Sequence, residues 1–308
     1  MPTPTSSKQT ISYLTRRLAE VGIEPLARHG QNFLIDLNLL RLLADSAQLE
    51  PHDVVLEVGT GTASLTTLMA PRVAAVVTVE IDSRFAQLAR EELLGHTNVV
   101  LLEQDALAGK HRIDARVLDA VQAQLSADPQ RRFKLAANLP YSVATPIIAN
   151  LLTTDIVPQS MTVTVQKEVA DRIAARPGTK DYSALSVWIQ SQCQVELVRI
   201  LPPGVFWPRP KVHSAIVRIV LDEARRRAIP DLAFFHDFAR SIFMHRRKYL
   251  RGVLLAAWKE RLSKPGIDRV LADSGLDPQC RADQLDVPAL LRLSAAVQLA
   301  LASAAVEH

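Results

Sequence analysis

The sequence predicts an α/β protein in which a parallel sheet covered by helices is followed by a small all-helical domain. From Val54 onward, short runs rich in β-branched residues alternate with helical patterns, and this alternation is typical of a parallel sheet. Two glycines directly follow the first of these runs, and no convincing strand follows Leu232. An Arg- and Ala-rich composition shift places the predicted boundary between domains 1–222 and 223–308.

The apolar periodicity predicts the individual elements in chain order. An N-terminal helix is expected between Ser7, its cap, and Gly22, just past its end. The predicted strands are 54–58, 75–80, 99–103, 133–137, 161–166, 195–201 and 215–221. Helices are expected at 64–69, 84–93 and 185–194, and two further helices are expected to end at 152 and 176. The segment of about 106–132, with a helical stripe of Val117, Val121 and Leu125, is interpreted as an insertion between two core strands.

Composition limits the function classes. The chain has 308 residues, 48% of them hydrophobic, and its pI of about 9.2 with a formal charge of +4 favours a polyanionic partner. We find neither the apolar core of a signal peptide nor an uninterrupted apolar stretch of membrane-spanning length, so we expect a soluble, cytoplasmic protein. The two cysteines, Cys193 and Cys280, are far apart and support neither a zinc site nor a redox motif; both are expected to be buried.

A nucleotide-like ligand is predicted at the carboxyl edge of the sheet. In Glu57-Val58-Gly59-Thr60-Gly61 a strand ends in two glycines, which permit close approach of a ligand, although an ordinary turn is the alternative. Glu80 ends the next strand about twenty residues on, where a carboxylate accepts ribose hydroxyls. Asp105 follows the third strand and is expected either to bind an adenine amino group or to cap a helix. A nicotinamide site is disfavoured because Ser64 replaces its third glycine.

Asn138-Leu139-Pro140-Tyr141 predicts a pocket for a flat amine. It directly follows an apolar strand, and Pro140 makes the turn rigid. The Asn138 side-chain oxygen and the carbonyl of Leu139 or Pro140 are the expected acceptors for the two N–H groups of the amine, and Tyr141 is expected to stack on the base. Phe206 is either the cover of the other face of the base or a core aromatic.

These motifs carry a family resemblance. Leu56 to Gly61 resembles the first motif of S-adenosylmethionine enzymes, and Asn138 to Tyr141 resembles the catalytic motif of their amine-methylating branch. Further matches are Gly30 to Leu34, Gln166 to Ala170, Phe206 to Val212 with Ser214-Ala215, and Arg246 to Lys248. In combination, the chain resembles the small-subunit ribosomal RNA adenine dimethyltransferases.

The resemblance implies a Rossmann-like methyltransferase domain, a helical C-terminal RNA-binding domain and S-adenosylmethionine as the methyl donor. It implies dimethylation of adenine N6 at two adjacent adenosines near the 3' end of 16S ribosomal RNA, by a monomer acting on an assembling small subunit. No metal is expected to take part. The implied donor contacts are Asn32, Leu34, Gly59, Gly61, Glu80, Asp105 and Asn138. Four positions depart from the usual family pattern: His29, Thr60, Ser142 and Ser183.

RNA contacts are predicted in the tail. Arg246, Arg247, Lys248 and Arg251 lie in a stretch, Phe238 to Leu254, that we expect to be helical and that contains no acidic residue. Uncompensated positive charge favours phosphate binding over a merely solvated face. Arg209 and Lys211 are expected to extend the same surface.

Two alternative functions remain open. A large-subunit ribosomal RNA adenine methyltransferase of the macrolide-resistance type shares these motifs, but the long basic tail disfavours it. A non-catalytic ribosome-assembly or transcription-factor-like relative is disfavoured by the intact Asn138, Tyr141, Glu80 and Asp105.

Overall fold

The computed structural model describes residues 16, 18, 32–110 and 112–306. Nine strands lie within these ranges. They are β1 Phe33–Leu34, β2 Asp53–Val58, β3 Ala75–Glu80, β4 Val99–Glu103, β5 Arg132–Asn138, β6 Ser160–Gln166, β7 Cys193–Leu201, β8 Phe206–Trp207 and β9 Ser214–Leu221. The seven strands predicted from the sequence are therefore confirmed, and the two-residue strands β1 and β8 are additional.

The main sheet has seven strands in the order β4-β3-β2-β5-β6-β9-β7. Strands β2 to β6 pair in parallel, and β9 pairs antiparallel with β6. Every residue of β2 and β3 is buried, as expected for strands covered on both faces. The chain runs outward from β2 through β3 to β4 and then returns to β5 on the other side of β2, so the strand order reverses between β2 and β5. Open α/β sheets bind ligands at the carboxyl ends of strands at such a point.

Twelve helices are described along the chain. They are α1 Leu37–Ser46, α2 Ser64–Met69, α3 Ser83–Glu92, α4 Ala115–Leu125, α5 Tyr141–Leu151, α6 Lys167–Ala174, α7 Ala184–Gln190, α8 Glu223–Arg227, α9 Leu232–Phe243, α10 Leu250–Ala257, α11 Lys264–Asp273 and α12 Val287–Val306. Aspartate side chains cap several of them by accepting first-turn N–H groups: Asp36, Asp82, Asp114 and Asp231. The predicted N-terminal helix lies outside the described residues except for Arg16 and Leu18, which are both helical.

The interpretation of residues 106–132 as an insertion is wrong. The segment is the connection between β4 and β5, and its helix α4 packs on β2, β3 and β5. Val117 and Val121 on this helix are fully buried. The predicted helical stripe therefore covers the sheet, as a crossover helix of a doubly wound fold does.

The chain divides into two compact units. The first contains residues 1–170 and 196–220, and the second contains 171–195 and 221–308. The division near 221 lies beside the predicted boundary, and residues 171–195, which the prediction placed in the first domain, group with the second unit. Within the second unit, Phe235, Phe238 and Ile242 of α9 form a buried face.

One expectation about the tail and one about the cysteines need correction. The stretch from Phe238 to Leu254 is not one helix, because α9 ends at Phe243 and α10 begins at Leu250. In α12, the segment Val287–Ala304 is long and apolar enough, by length and composition, to cross a membrane, and Arg292 interrupts its apolar run. This helix buries Leu290, Leu293 and Val297 in the second unit. Cys193 is buried, but Cys280 is only partly so.

Candidate active site

A cavity of about 560 Å³ opens in the first unit at the reversal point of the sheet. Its lining includes every residue expected to contact the donor: Asn32, Leu34, Gly59, Gly61, Glu80, Asp105 and Asn138. Leu139 and Pro140 also line it, whereas Tyr141 and Phe206 do not. Residues from widely separated parts of the sequence thus meet at one sheet edge.

The glycine turn after β2 requires both of its glycines. Gly59 has φ of +86° and Gly61 has φ of +54°, values in the left-handed region that other residues rarely adopt. A Cβ atom at Gly59 would lie 3.2 Å from the ring of Pro140, on the neighbouring strand end. The turn is therefore more than an ordinary connection, since it brings the ends of β2 and β5 into contact beside the cavity.

Glu80 ties this turn to β3. Its carboxylate accepts the N–H of Gly61 at 2.8 Å through Oε2 and the N–H of Asp82 at 3.0 Å through Oε1. The side chain is 6% exposed, and burial raises its pKa, although the backbone N–H groups oppose that shift. Each carboxylate oxygen has more than one acceptor site, so the anchored group is still able to accept the hydroxyls of a ribose.

Asp105 lies at the same cavity and is exposed. Its Oδ1 accepts the N–H of Leu107 at 2.9 Å, which closes a local turn. It caps no helix, because the next helix, α4, is capped by Asp114. The helix-cap alternative for Asp105 is therefore wrong, and its second oxygen remains available to a ligand.

A buried carboxyl group at the cavity was missed by the sequence reasoning. Glu57 is 1% exposed, and its Oε2 accepts the hydroxyls of Thr66 at 2.5 Å and Thr78 at 2.8 Å. Thr78 also pairs with the hydroxyl of Thr60 at 2.6 Å. Burial raises the pKa of Glu57 to about 8, and the nearby Glu80 charge adds to the shift. The available signal was an acidic residue inside the otherwise apolar run 54–58 of β2.

The turn after β5 holds Asn138 in a defined orientation. Its Nδ2 donates to the carbonyl of Asn32 at 2.9 Å, which leaves Oδ1 as the free end of the amide, with no donor to it among the described residues. The carbonyl of Pro140 accepts the N–H groups of Val143 and Ala144, both at 3.1 Å, at the start of α5. Of the two carbonyls expected to accept from the amine, that of Leu139 is therefore the better candidate.

The two predicted stacking residues differ in their surroundings. The Tyr141 ring is half-buried, and its hydroxyl lies 2.5 Å from Oγ of Ser214. Phe206 is 2% exposed and packs in a core cluster with Leu34, Leu201 and Ile216. A ring enclosed in this way presents no face to a base, so the expectation that Phe206 covers the base is wrong and the core alternative holds.

The basic residues predicted to contact RNA also fall into groups. Arg246 donates to the carbonyls of Lys180 at 2.6 Å and Tyr182 at 2.9 Å, and Arg251 forms a two-pronged ion pair with Asp268. The stretch lacks acidic residues in sequence, but the fold supplies one to Arg251. The exposed members are Arg247 and Lys248, in the turn between α9 and α10, and Arg209 and Lys211 before β9.

Three of the four departures from the family pattern have local roles or positions in the structure. The hydroxyl of Thr60 pairs with Thr78, Ser183 caps α7, and Ser142 is exposed at the cavity. His29 lies outside the described residues. None of the three removes an acceptor from the cavity.

A doubly wound sheet with this glycine turn, the carboxylates beside it and the Asn138 turn at its reversal point defines an S-adenosylmethionine-dependent methyltransferase. The ribosomal RNA adenine dimethylase family matches residues 26–290, and the chain belongs to this family. The chain is thus an enzyme of ribosomal RNA methylation whose methyl donor is S-adenosylmethionine.

Individual relatives agree with this assignment. Ribosomal RNA small subunit methyltransferase A of Geobacillus kaustophilus is 40% identical over 87% of this chain and 89% of its own length. The same-named protein of Halothermothrix orenii is 38% identical over 86% of this chain and 85% of its own length.

Solved structures share the fold. A dimethyladenosine transferase from Plasmodium falciparum has a TM-score of 0.69 at 24% identity, over 84% of this chain and 94% of its own. The 23S rRNA methyltransferase ErmE has a TM-score of 0.59 at 24% identity, over 87% of this chain and 100% of its own.

Proposed function

We propose that this protein dimethylates adenine N6 at two adjacent adenosines near the 3' end of 16S ribosomal RNA. We further propose that it acts in the cytoplasm, as a monomer, on an assembling small subunit. The observation that carries the proposal is the orientation of Asn138, whose amide nitrogen is anchored to Asn32 while its oxygen remains a free acceptor beside the cavity. Relatives named for small-subunit ribosomal RNA methylation support the choice of RNA.

The chemistry requires positioning more than acid–base groups. The lone pair of an adenine amine is delocalised into the ring, so the nitrogen becomes nucleophilic only when it is held in a pyramidal geometry. Acceptors for both N–H groups favour that geometry, and Asn138 Oδ1 with the Leu139 carbonyl provides two acceptors at adjacent positions of a rigid turn. Bound S-adenosylmethionine supplies an electrophilic methyl group on a sulfonium centre.

The donor cavity is lined by groups whose positions are fixed and that suit S-adenosylmethionine. Both oxygens of Glu80 are fixed by backbone N–H groups, and the glycine turn permits the backbone to approach a ligand closely. We assign Glu80 to the ribose hydroxyls and Asp105 to the adenine amino group of the donor. Asn32, Leu34, Gly59 and Gly61 complete the walls of this site.

RNA contact is assigned to the exposed cations. Arg247 and Lys248 are exposed in the turn between α9 and α10, at a surface concavity of about 410 Å³. Arg209 and Lys211 are exposed on the first unit. Because Arg246 is bound to backbone carbonyls and Arg251 is paired with an aspartate, we assign these two to the support of the second unit, which narrows the set predicted from the sequence.

The test is a methyl-transfer assay on ribosomal subunits from cells lacking the protein. With radiolabelled donor, label is expected in 16S RNA and, after digestion, in N6,N6-dimethyladenosine. Isolated large subunits serve as the matched substrate control. Label in 23S RNA would favour the macrolide-resistance type instead, and absence of label from both subunits would favour a non-catalytic relative.

A further inference from the structure

We infer that Ser214 is a positioning residue that fixes the ring of Tyr141 for stacking on the target adenine. The inference rests on the proposed function, which gives Tyr141 its role. Oγ of Ser214 lies 2.5 Å from the hydroxyl of Tyr141. Ser214 is fully buried and Tyr141 is half-buried, so one end of the ring is held inside the protein.

The hydrogen bond restrains the only freedom that Tyr141 retains. Tyr141 is the first residue of α5, and Pro140 directly before it has a fixed φ. The carbonyl of Pro140 accepts the N–H groups of Val143 and Ala144, both at 3.1 Å, so the backbone is held on both sides. Two side-chain torsions remain, and a bond to the far end of the ring restrains both of them.

Ser214 is suited to be the fixed partner. It begins β9 and pairs in register with Gln166 of β6, and the carbonyl of His213 before it accepts the N–H of Lys167 at 2.9 Å. The serine therefore does not follow the ring when the ring moves. Burial raises the pKa of Tyr141, which keeps the phenol protonated, so that one hydroxyl is always able to donate to the other.

The same strand end also carries the proposed phosphate contacts of the first unit. Arg209 and Lys211 are exposed in the segment that leads directly into Ser214. This segment would hold the RNA, and Ser214 would hold the ring on which the base stacks. Both would thus be positioned by the rigid start of β9. Ser214 is then required for the rate of transfer and not for the affinity of either substrate.

The experiment is a double-mutant cycle with Ser214→Ala, Tyr141→Phe and the double variant. Single-turnover methylation of small subunits from cells lacking the protein is measured with donor and enzyme in saturating excess. Each single variant removes the same hydrogen bond and is expected to slow transfer about five- to tenfold, the value of one such bond, and the double variant is expected to be no slower. Affinities for S-adenosylhomocysteine and for the subunit should stay within about twofold of the parent.

Ser160→Ala is the matched control. Ser160 is a buried serine at the end of β6 opposite to Gln166, the residue in register with Ser214, and its variant should keep the parental rate. The inference would be overturned if the rate losses of the two single variants multiplied in the double variant. A parental rate for Ser214→Ala would overturn it as well. If Ser214→Ala does not fold, Tyr141→Phe decides alone, since a parental rate in that variant removes the role of the bond. A parent that transfers no methyl group refutes the proposed function itself.

Discussion

Replacing Glu57 by Gln should change how the stability of the first unit depends on pH. Burial raises the pKa of this carboxyl group from 4.5 to about 8, so it is protonated in the folded protein at neutral pH and ionised in the unfolded chain. Between pH 4.5 and about pH 8, the folded state then binds one more proton than the unfolded state. The stability that the protonated group provides is full below about pH 4.5 and is lost as the pH rises towards about 8.

The size of the effect follows from this single proton. The free energy of unfolding should fall by about 1.4 kcal/mol per pH unit across most of the window, or about 2–3 kcal/mol between pH 5 and pH 7. Glutamine is uncharged at every pH, and its oxygen is able to accept from Thr66 and Thr78 as Oε2 of Glu57 does. Glu57→Gln should therefore lie close to the parent at pH 5 and become increasingly more stable than the parent as the pH rises.

Urea unfolding at several pH values, followed by pulsed hydrogen exchange of the β2 and β3 peptides, measures this quantity for the first unit. Glu196→Gln is the control, because Glu196 lies in the same unit with a side chain that is 64% exposed. The Glu196→Gln variant should shift the plot of unfolding free energy against pH without changing its slope. Equal slopes for Glu57→Gln and the parent would mean that Glu57 is ionised in the fold, which would refute the reasoning.

Three further predictions concern the proposed roles. Glu80→Ala should weaken binding of S-adenosylhomocysteine by about 2–3 kcal/mol in calorimetry, because a charged acceptor is lost; unchanged affinity would remove Glu80 from the donor site. Asn138→Ala should keep donor and RNA affinity within about tenfold of the parent while its single-turnover rate falls by about 100-fold or more, because its acceptor acts mainly in the transition state. A near-parental rate would contradict that role. Replacing Arg247 and Lys248 by Gln should reduce the slope of log affinity for RNA against log salt by about two units, whereas Arg246→Gln should keep the slope and destabilise the second unit. Parallel salt plots for the first variant would contradict phosphate contact.

The strands of the sheet were predicted well from the sequence because the signal for each strand is local. Each strand of the core is a short apolar run, and Gly59, Glu80 and Asp105 each follow or end one of these runs. Parallel strands place their carboxyl ends at one edge, so the meeting of these residues follows from the fold class alone. The same reasoning failed for 106–132, because the helical stripe was recognised but a stripe does not report which surface it packs on, and α4 buries it against the sheet.

Contacts between distant parts of the chain could not be predicted. The absence of acidic residues near Arg251 is a correct statement about sequence, but Asp268 reaches it from α11, 17 residues away. Phe206 stands in a motif that resembles a base-binding segment, yet its burial depends on Leu34 and Ile216 from other strands. Whether a charged side chain is paired and whether a ring is buried depend on tertiary neighbours. The apolar periodicity of the sequence carries no information about these neighbours.

Burial explains why one carboxyl group of the cavity, that of Glu57, is neutral, and the nearby charge of Glu80 adds to the effect. Both lie at the ends of adjacent parallel strands, and the charge of Glu80 raises the pKa of Glu57 further. Glu80 accepts two backbone N–H groups, which favour its ionised form, whereas the partners of Glu57 are hydroxyls that also pair with a neutral acid. Burial raises the pKa of both groups, but backbone N–H groups oppose the shift at Glu80, so a negative charge is better accommodated at Glu80, where ribose hydroxyls would be bound, than at Glu57. Glu57, as an uncharged acid, connects the strand, the glycine turn and α2 through its threonine partners without adding a second charge to the site.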